Sequence, residues 1–351
     1  MMSMVLPTAT LTLPGITVQN VRQDAWVSLF LATLAGFFIA WLVVSLSLRF
    51  PGKTLFEFAE EILGRVPGKV IGLLYIWWFL HTNAIIMDEF AGFLCTAVMP
   101  DTPPIVFFLV GAIVAGYAVR NGLEVLSRYN QLFLPLVLGL LLVVFILAIK
   151  DMKAARLLPV FDAGLIPIVK GTAVPTSWLG EIVIFTMIIP FLNKPKEAKK
   201  VVMLATFLTG SFLLVSILVA LAVFGPNLAG DWIFSAYNAV RVVSIANFLE
   251  RLESVIVAVW MFGGFAKMGV FYYAAVLGSA QWLGLKDYRP LVAPIGVILV
   301  GLALLCRNIV DLIGFIATSW PPYAIIVFEA GIPLLLLVVA LARGKGGKAV
   351  D

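Results

Sequence analysis

The sequence predicts an all-α polytopic membrane protein of about ten transmembrane helices, arranged as two inverted five-helix halves with helices 1 and 6 discontinuous and the first helix shortened. Three observations carry that prediction. Hydrophobic residues make up 62% of the 351 positions and charged residues only 12%, where a soluble domain has roughly a quarter charged. Apolar runs of spanning length recur from end to end, so helices rather than a soluble core must satisfy the backbone. Two short segments broken by Pro and Gly, one near each half's start, match in position.

In chain order, the first run, Ser3–Val18, is short against the roughly 20 residues a bilayer asks for. It is followed by Ala25–Leu48, Val70–Met99, Pro103–Val119 and Tyr129–Ile149. The sixth span starts at Gly171 and runs to about Asn193; then come Val201–Gly225, Ser254–Leu285, Pro290–Cys306 and Trp320–Ala342. The halves are residues 1–149 and 171–342, joined by an outer connector at 150–170 and ending in a cytoplasmic tail at 343–351. With the N-terminus inside, the inner connectors hold fifteen Lys and Arg and the outer ones eight, which places both termini in the cytoplasm. The basic connector between Lys150 and Lys170 runs against that bias. Cys95 and Cys306 lie in apolar runs as small buried hydrophobes and form no disulfide framework.

The matched segments are "LPTATLTLPG" at 6–15, with Pro7, Pro14 and Gly15, and "GTAVPTSWLGEIVIF" at 171–185. Five spans per half is an odd number, so the halves have opposite topology. Paired interruptions in such halves point to the substrate site of an inverted-repeat transporter fold. Where a helix unwinds, half-helix N-termini face an anion and freed carbonyls face a cation. A single proline-bearing span is ordinarily only a kink; a matched pair favours a site.

Polar groups within spans are weighed the same way. Glu181 adjoins the sixth-span break, where it holds the backbone, binds an amine, carries a proton, or ties two helices together as a neutral acid. Lys267 lies mid-way along the eighth span, either as a stand-in for a coupling cation or as a partner of a carboxylate. Trp178 adjoins the break, where it can gate a pocket. Asp88 and Glu89 fall late in the third span and read as solvated carboxylates near the outer surface, and Glu329 has no partner that local sequence assigns. A lone His81 excludes a His-rich zinc site. No nucleotide loop, metal cluster or thiol nucleophile is present, so the sequence points to neither an enzyme nor a cofactor, and to no nucleic acid.

Two stretches are amphipathic. Residues 54–65, "TLFEFAEEILGR", put Leu55, Phe58, Ala59 and Ile62 on one face and are expected along the inner membrane surface. Residues 235–254 read similarly at the outer face, as a lid or a subunit-docking surface.

Several motifs carry a resemblance: "LPG" (Leu13–Gly15), "QDAW" (Gln23–Trp26), "FPGKTLFEFAEEILG" (Phe50–Gly64), "LGEI" (Leu179–Ile182), "PFLNKPKEAKK" (Pro190–Lys200), "ERLE" (Glu250–Glu253) and "LKDYRPLVAPIG" (Leu285–Gly296). In this order over nearly the whole chain, they resemble the endospore germination permeases, the B subunits of GerA-type germinant receptors. The resemblance implies the 5+5 LeuT-type fold of the amino acid–polyamine–organocation superfamily and a place in the spore inner membrane. It also implies a small germinant, usually an amino acid, and partnership with an A subunit and a lipoprotein C subunit. The pattern has more chain before the LPG motif and a small residue where Pro7 stands, so the inner half of the first span is expected to be shortened here.

The leading expectation is therefore a germinant-binding membrane subunit that holds a small zwitterion at the two breaks. The residues expected to bind it are Thr8, Thr10, Thr12, Gly15, Ser177, Trp178, Gly180 and Glu181, with Lys267 as ion surrogate or coupling residue and no metal. The alternative is a proton-coupled amino acid transporter, and a third class is a scaffold without ligand.

Overall fold

In the computed structural model, which describes residues 1–162, 164–242, 252–306 and 308–347, all regular structure among the described residues is helical. Among the described residues, seven helical runs are long and apolar enough to cross a membrane, and three shorter apolar helices accompany them. The first run, 2–49, is 48 residues, about 72 Å if straight and more than twice the hydrocarbon thickness. It therefore folds back, into α1 (Met2–Val21) and α2 (Ala25–Arg49). The reversal lies at Arg22, whose φ of 57° is left-handed. The QDAW motif secures this corner. Gln23 Nε2 donates to Asp162 Oδ2 at 3.0 Å, and Asp24 Oδ1 accepts from the Phe161 backbone at 2.7 Å.

α1 departs from expectation. It is one continuous helix through Pro7 and Pro14, not a broken one. The reason is energetic. Each proline removes one backbone bond, whereas leaving the helix in hydrocarbon orphans several groups at several kcal/mol each. Seventeen of the twenty residues are buried, so protein surrounds α1 and supports the strained turns. The Pro7 ring occupies the space above Gly263 that any side chain there would fill.

α3 (Leu55–Leu63) is amphipathic as read, but its apolar face meets protein instead of lipid. Leu55, Phe58, Ala59 and Ile62 are all buried, and the helix packs on α4 (Arg65–Ala97). It starts in a capping box: Glu57 Oε2 accepts from the Thr54 backbone at 2.8 Å, and Thr54 Oγ1 is also 2.7 Å from Gln281 Oε1. Thr54→Ala is expected to cost about 1 kcal/mol, read as a lowered thermal midpoint of the purified protein in detergent; an unchanged midpoint means the cap contributes nothing.

α5 (Pro104–Arg120) and α6 (Leu123–Ala148) come next. The sixth span does not unwind at Gly180: Leu165–Met187 is one helical run that changes its geometry. α7 (Leu165–Gly171) and α8 (Ala173–Gly180) are regular, and the chain then tightens into 3₁₀ turns over Glu181–Met187. α9 (Ala198–Phe224), α10 (Pro226–Asp231) and α11 (Ser235–Val242) follow. Most of the rest of the outer amphipathic stretch, 243–251, lies outside the described residues, as does part of the ERLE motif. α12 (Leu252–Leu283) packs along α4 and α1. α13 (Val292–Ala303) precedes a short apolar helix that sequence reading passed over, α14 (Ile309–Thr318). α15 (Trp320–Pro322) leads through a π-helical turn, Tyr323–Glu329, into α16 (Gly331–Ala342).

Candidate functional site

The polar cluster forms where α1 crosses the end of α8. α1 presents Thr8 and Thr12, one turn apart, on the face turned to α4, α8 and α12. Thr8 Oγ1 is the hub: it accepts from Trp178 Nε1 at 3.1 Å and from Lys267 Nζ at 2.8 Å. The same ammonium reaches Glu181 Oε1 at 2.8 Å, an ion pair with both side chains almost wholly buried. Thr12 donates to Glu89 Oε1 at 2.6 Å. Glu89, Glu181, Lys267 and Trp178 line one small cavity with Thr82, Ile85, Ile86, Ile316 and Trp320, about 10 Å³ and room for little more than a water. Glu181 is the first residue of the 3₁₀ turns that follow Gly180. An ammonium in this interior, paired and hydrogen-bonded, meets the condition for burying charge.

Thr8, Thr12, Trp178, Glu181 and Lys267 are thus brought together. Others from the same reading sit apart. Thr10 accepts from Trp260 Nε1 at 3.1 Å and donates to Leu6 O at 2.6 Å. Ser177 spends its hydroxyl on Val174 O at 2.8 Å within its own helix. Gly15 lies against the carbonyls of Trp232 and Ile233, too close for any side chain. Gly180 lies under Glu329 Oε2, again with no space for a Cβ.

Two acids read as peripheral or unassigned are central. Glu89 is 2% exposed and shares the Lys267 cavity, not the outer surface. Its neighbour Asp88 turns about 100° away around the helix and lines an open groove with Trp77, His81 and Asp311. Ile85 lines both the groove and the inner cavity. Spacing held the signal for Glu89: Trp78, Thr82, Ile86, Glu89 and Phe93 follow the three-and-four step of one buried helix face. Glu329 is fully buried at the end of the π turn, and neither oxygen has a hydrogen-bond partner among the described residues.

The architecture is shared with a solved transporter. A Na⁺-coupled sialic acid symporter, in its substrate-bound outward-open state, superposes with a TM-score of 0.56 at 11% identity, covering 98% of this chain and 89% of the symporter. At that identity the likeness is one of fold. Sequence relatives include spore germination proteins of Bacillus subtilis strain 168. Spore germination protein KB is 27% identical over 328 residues, 92% of this chain and 88% of the relative. Spore germination protein YndE is 25% identical over 352 residues, 98% of this chain and 94% of the relative. The family model described as spore germination protein, Spore_permease, matches residues 1–312, and the chain belongs to that family.

Proposed function

We propose that this protein is the germinant-binding membrane subunit of a spore germination receptor, taking a small zwitterion such as an amino acid at the Thr8–Glu181–Lys267 cluster. One observation carries the reading: a buried ammonium–carboxylate pair sits where the sixth span leaves regular helical geometry. A zwitterion offers the same two charges. Its carboxylate replaces Glu181 as the partner of Lys267, and its ammonium replaces Lys267 as the partner of Glu181, so charge balance is kept throughout. Glu89, held by Thr12, supplies a second acceptor for the amine. The present cavity is too small for an amino acid, so the ion pair opens and Trp178 swings from Thr8 as the ligand enters. That opening is the conformational signal in this reading, and it gives the receptor a closed resting state.

Within the same proposal, residues 1–149 and 171–342 act as the two inverted halves, both termini lie on the cytoplasmic side of the spore inner membrane, and A-type and lipoprotein C-type subunits receive the signal. The test is thermal stabilisation of the purified chain by each of the common amino acids. A ligand at 100 times its Kd raises stability by about 2.7 kcal/mol, and Glu181→Gln, with its own unfolding midpoint recorded alongside, is expected to lose the shift and to abolish germination of spores that carry it. A normal germination response of that variant removes Glu181 from the site; no shift from any amino acid removes the ligand class. The shared symporter fold keeps transport as the second reading. Accumulation of labelled amino acid in liposomes holding this chain alone, driven by a proton gradient, supports it, and absence of flux with retained binding supports the receptor.

A further inference from the structure

Glu329 has no role in the ligand reading above, yet it lies buried beside the cluster. It is fully buried, and both carboxyl oxygens lack any donor among the described residues. Oε2 lies over Gly180, where the absence of a side chain leaves the carboxyl its space. The backbone that presents it is the π-helical turn Tyr323–Glu329, held from α4 by Tyr75, whose hydroxyl donates to Phe328 O at 2.6 Å. Such turns are frequent at functional sites because the helix register is already locally loosened.

The charged and titratable groups facing Glu329 are few. Glu181 approaches from the sixth span and Lys267 from α12, both within Coulombic reach, and Tyr75 faces it from α4. Glu89 lies one step further, against the same ammonium. The cluster therefore sets one ammonium against three carboxyl groups. Lys267 already bonds Glu181 and Thr8, and an unpaired carboxylate without donors in the membrane interior is prohibitive. A proton is the counter-charge that needs no cavity, and the space over Gly180 is filled by the carboxyl itself.

We propose that Glu329 is a proton-binding site and the alternative counter-ion of Lys267: it holds a proton while Lys267 is paired with Glu181, and releases that proton when Lys267 turns to it. The exchange balances. In one arrangement the pair is Lys267 ammonium with Glu181 carboxylate, beside a neutral Glu329. In the other, the pair is Lys267 ammonium with Glu329 carboxylate; the O–H bond of Glu329 has broken and its proton has passed to Glu181. The proposal rests on the cluster as the working centre, and it gives the Lys267–Glu181–Glu329 triad two charge-neutral states.

The experiment needs no ligand, so its failure is separate from that of the germinant reading. The infrared spectrum of the full chain in lipid nanodiscs is recorded in water and in deuterium oxide, in the carbonyl region of protonated carboxylic acids. The native protein is expected to show a deuterium-sensitive acid band that Glu329→Gln removes and Glu89→Gln leaves with its Glu329 component intact. Glu181→Gln leaves Glu329 untouched but frees Lys267, and is expected to abolish the same component, because the released ammonium draws the proton off Glu329. That second variant keeps the test open even where Glu329→Gln does not fold. A native spectrum without the band, or a band that Glu329→Gln leaves unchanged, overturns the site. Persistence of the Glu329 component in Glu181→Gln overturns the exchange.

Discussion

Lys267→Met is expected to destabilise the protein by about 3–5 kcal/mol, the usual cost of removing one partner from a buried ion pair. Methionine matches the length of the stem, so packing is largely kept and the loss is electrostatic. Without the ammonium, Glu181 has no partner on either oxygen, since Oε2 already lacks one. Thr8 retains only its bond from Trp178. Coulomb attraction is not by itself the measure of this loss, because burying the pair cost desolvation of both ions. The informative comparison is therefore with Lys267→Met/Glu181→Leu, which removes both charges together. Replacing a whole buried pair by apolar groups is often neutral or stabilising, so the double variant is expected to recover most of what the single variant lost. Thermal and denaturant unfolding in detergent read the cycle. If the single variant unfolds at the native midpoint, the ion pair does not exist in the folded protein. If the double variant is as unstable as the single, packing and not charge explains the loss.

Much of this cluster was legible in the sequence because polar residues are rare in apolar runs and stand out there. Glu181 and Lys267 stand out on that ground, Thr8 and Trp178 by their places in the two Pro- and Gly-bearing segments, and the change in backbone geometry after Gly180 falls in the second of these. What sequence could not supply was depth and neighbourhood. α4 has 33 residues, about 50 Å of helix against roughly 30 Å of hydrocarbon, so counting along it misplaced Glu89 at the surface. Two prolines in α1 look the same in sequence whether the helix breaks or only bends; burial on all sides decided for continuity. The apolar face of α3 satisfies the pattern of a membrane-surface helix and of a protein-packed one equally well. Glu329 has no sequence signal linking it to Gly180, since the two are brought together only by the crossing of the sixth span and the π turn.

The packing of α4 against α12 is expected to be the least forgiving contact in the fold, and Gly264→Leu tests it. A Cβ on Gly264 would collide with the Phe90 ring, which is 4% exposed and cannot withdraw toward solvent. Two effects oppose each other. Replacing Gly inside a helix gains up to about 1 kcal/mol of propensity. Forcing extra carbons into a closed core costs about 1–3 kcal/mol, and more when the neighbour is a rigid ring between two backbones. The second wins at Gly264. Gly301 in α13 supplies the control, because it is exposed and no atom lies within 4 Å of where its Cβ would be, so only the propensity gain remains there. Gly264→Leu is thus expected to lower the thermal midpoint strongly, and Gly301→Leu to leave it level or raise it. A size swap isolates the cause: Gly264→Leu/Phe90→Ala returns the lost volume and should regain part of the stability. The same collision also bears on the site, because Phe90 is the next residue after Glu89, and pushing the ring displaces the carboxyl that Thr12 holds. Should the two leucine variants behave alike, the close approach of α4 and α12 is absent, and with it the geometry that brings Glu89 to Lys267.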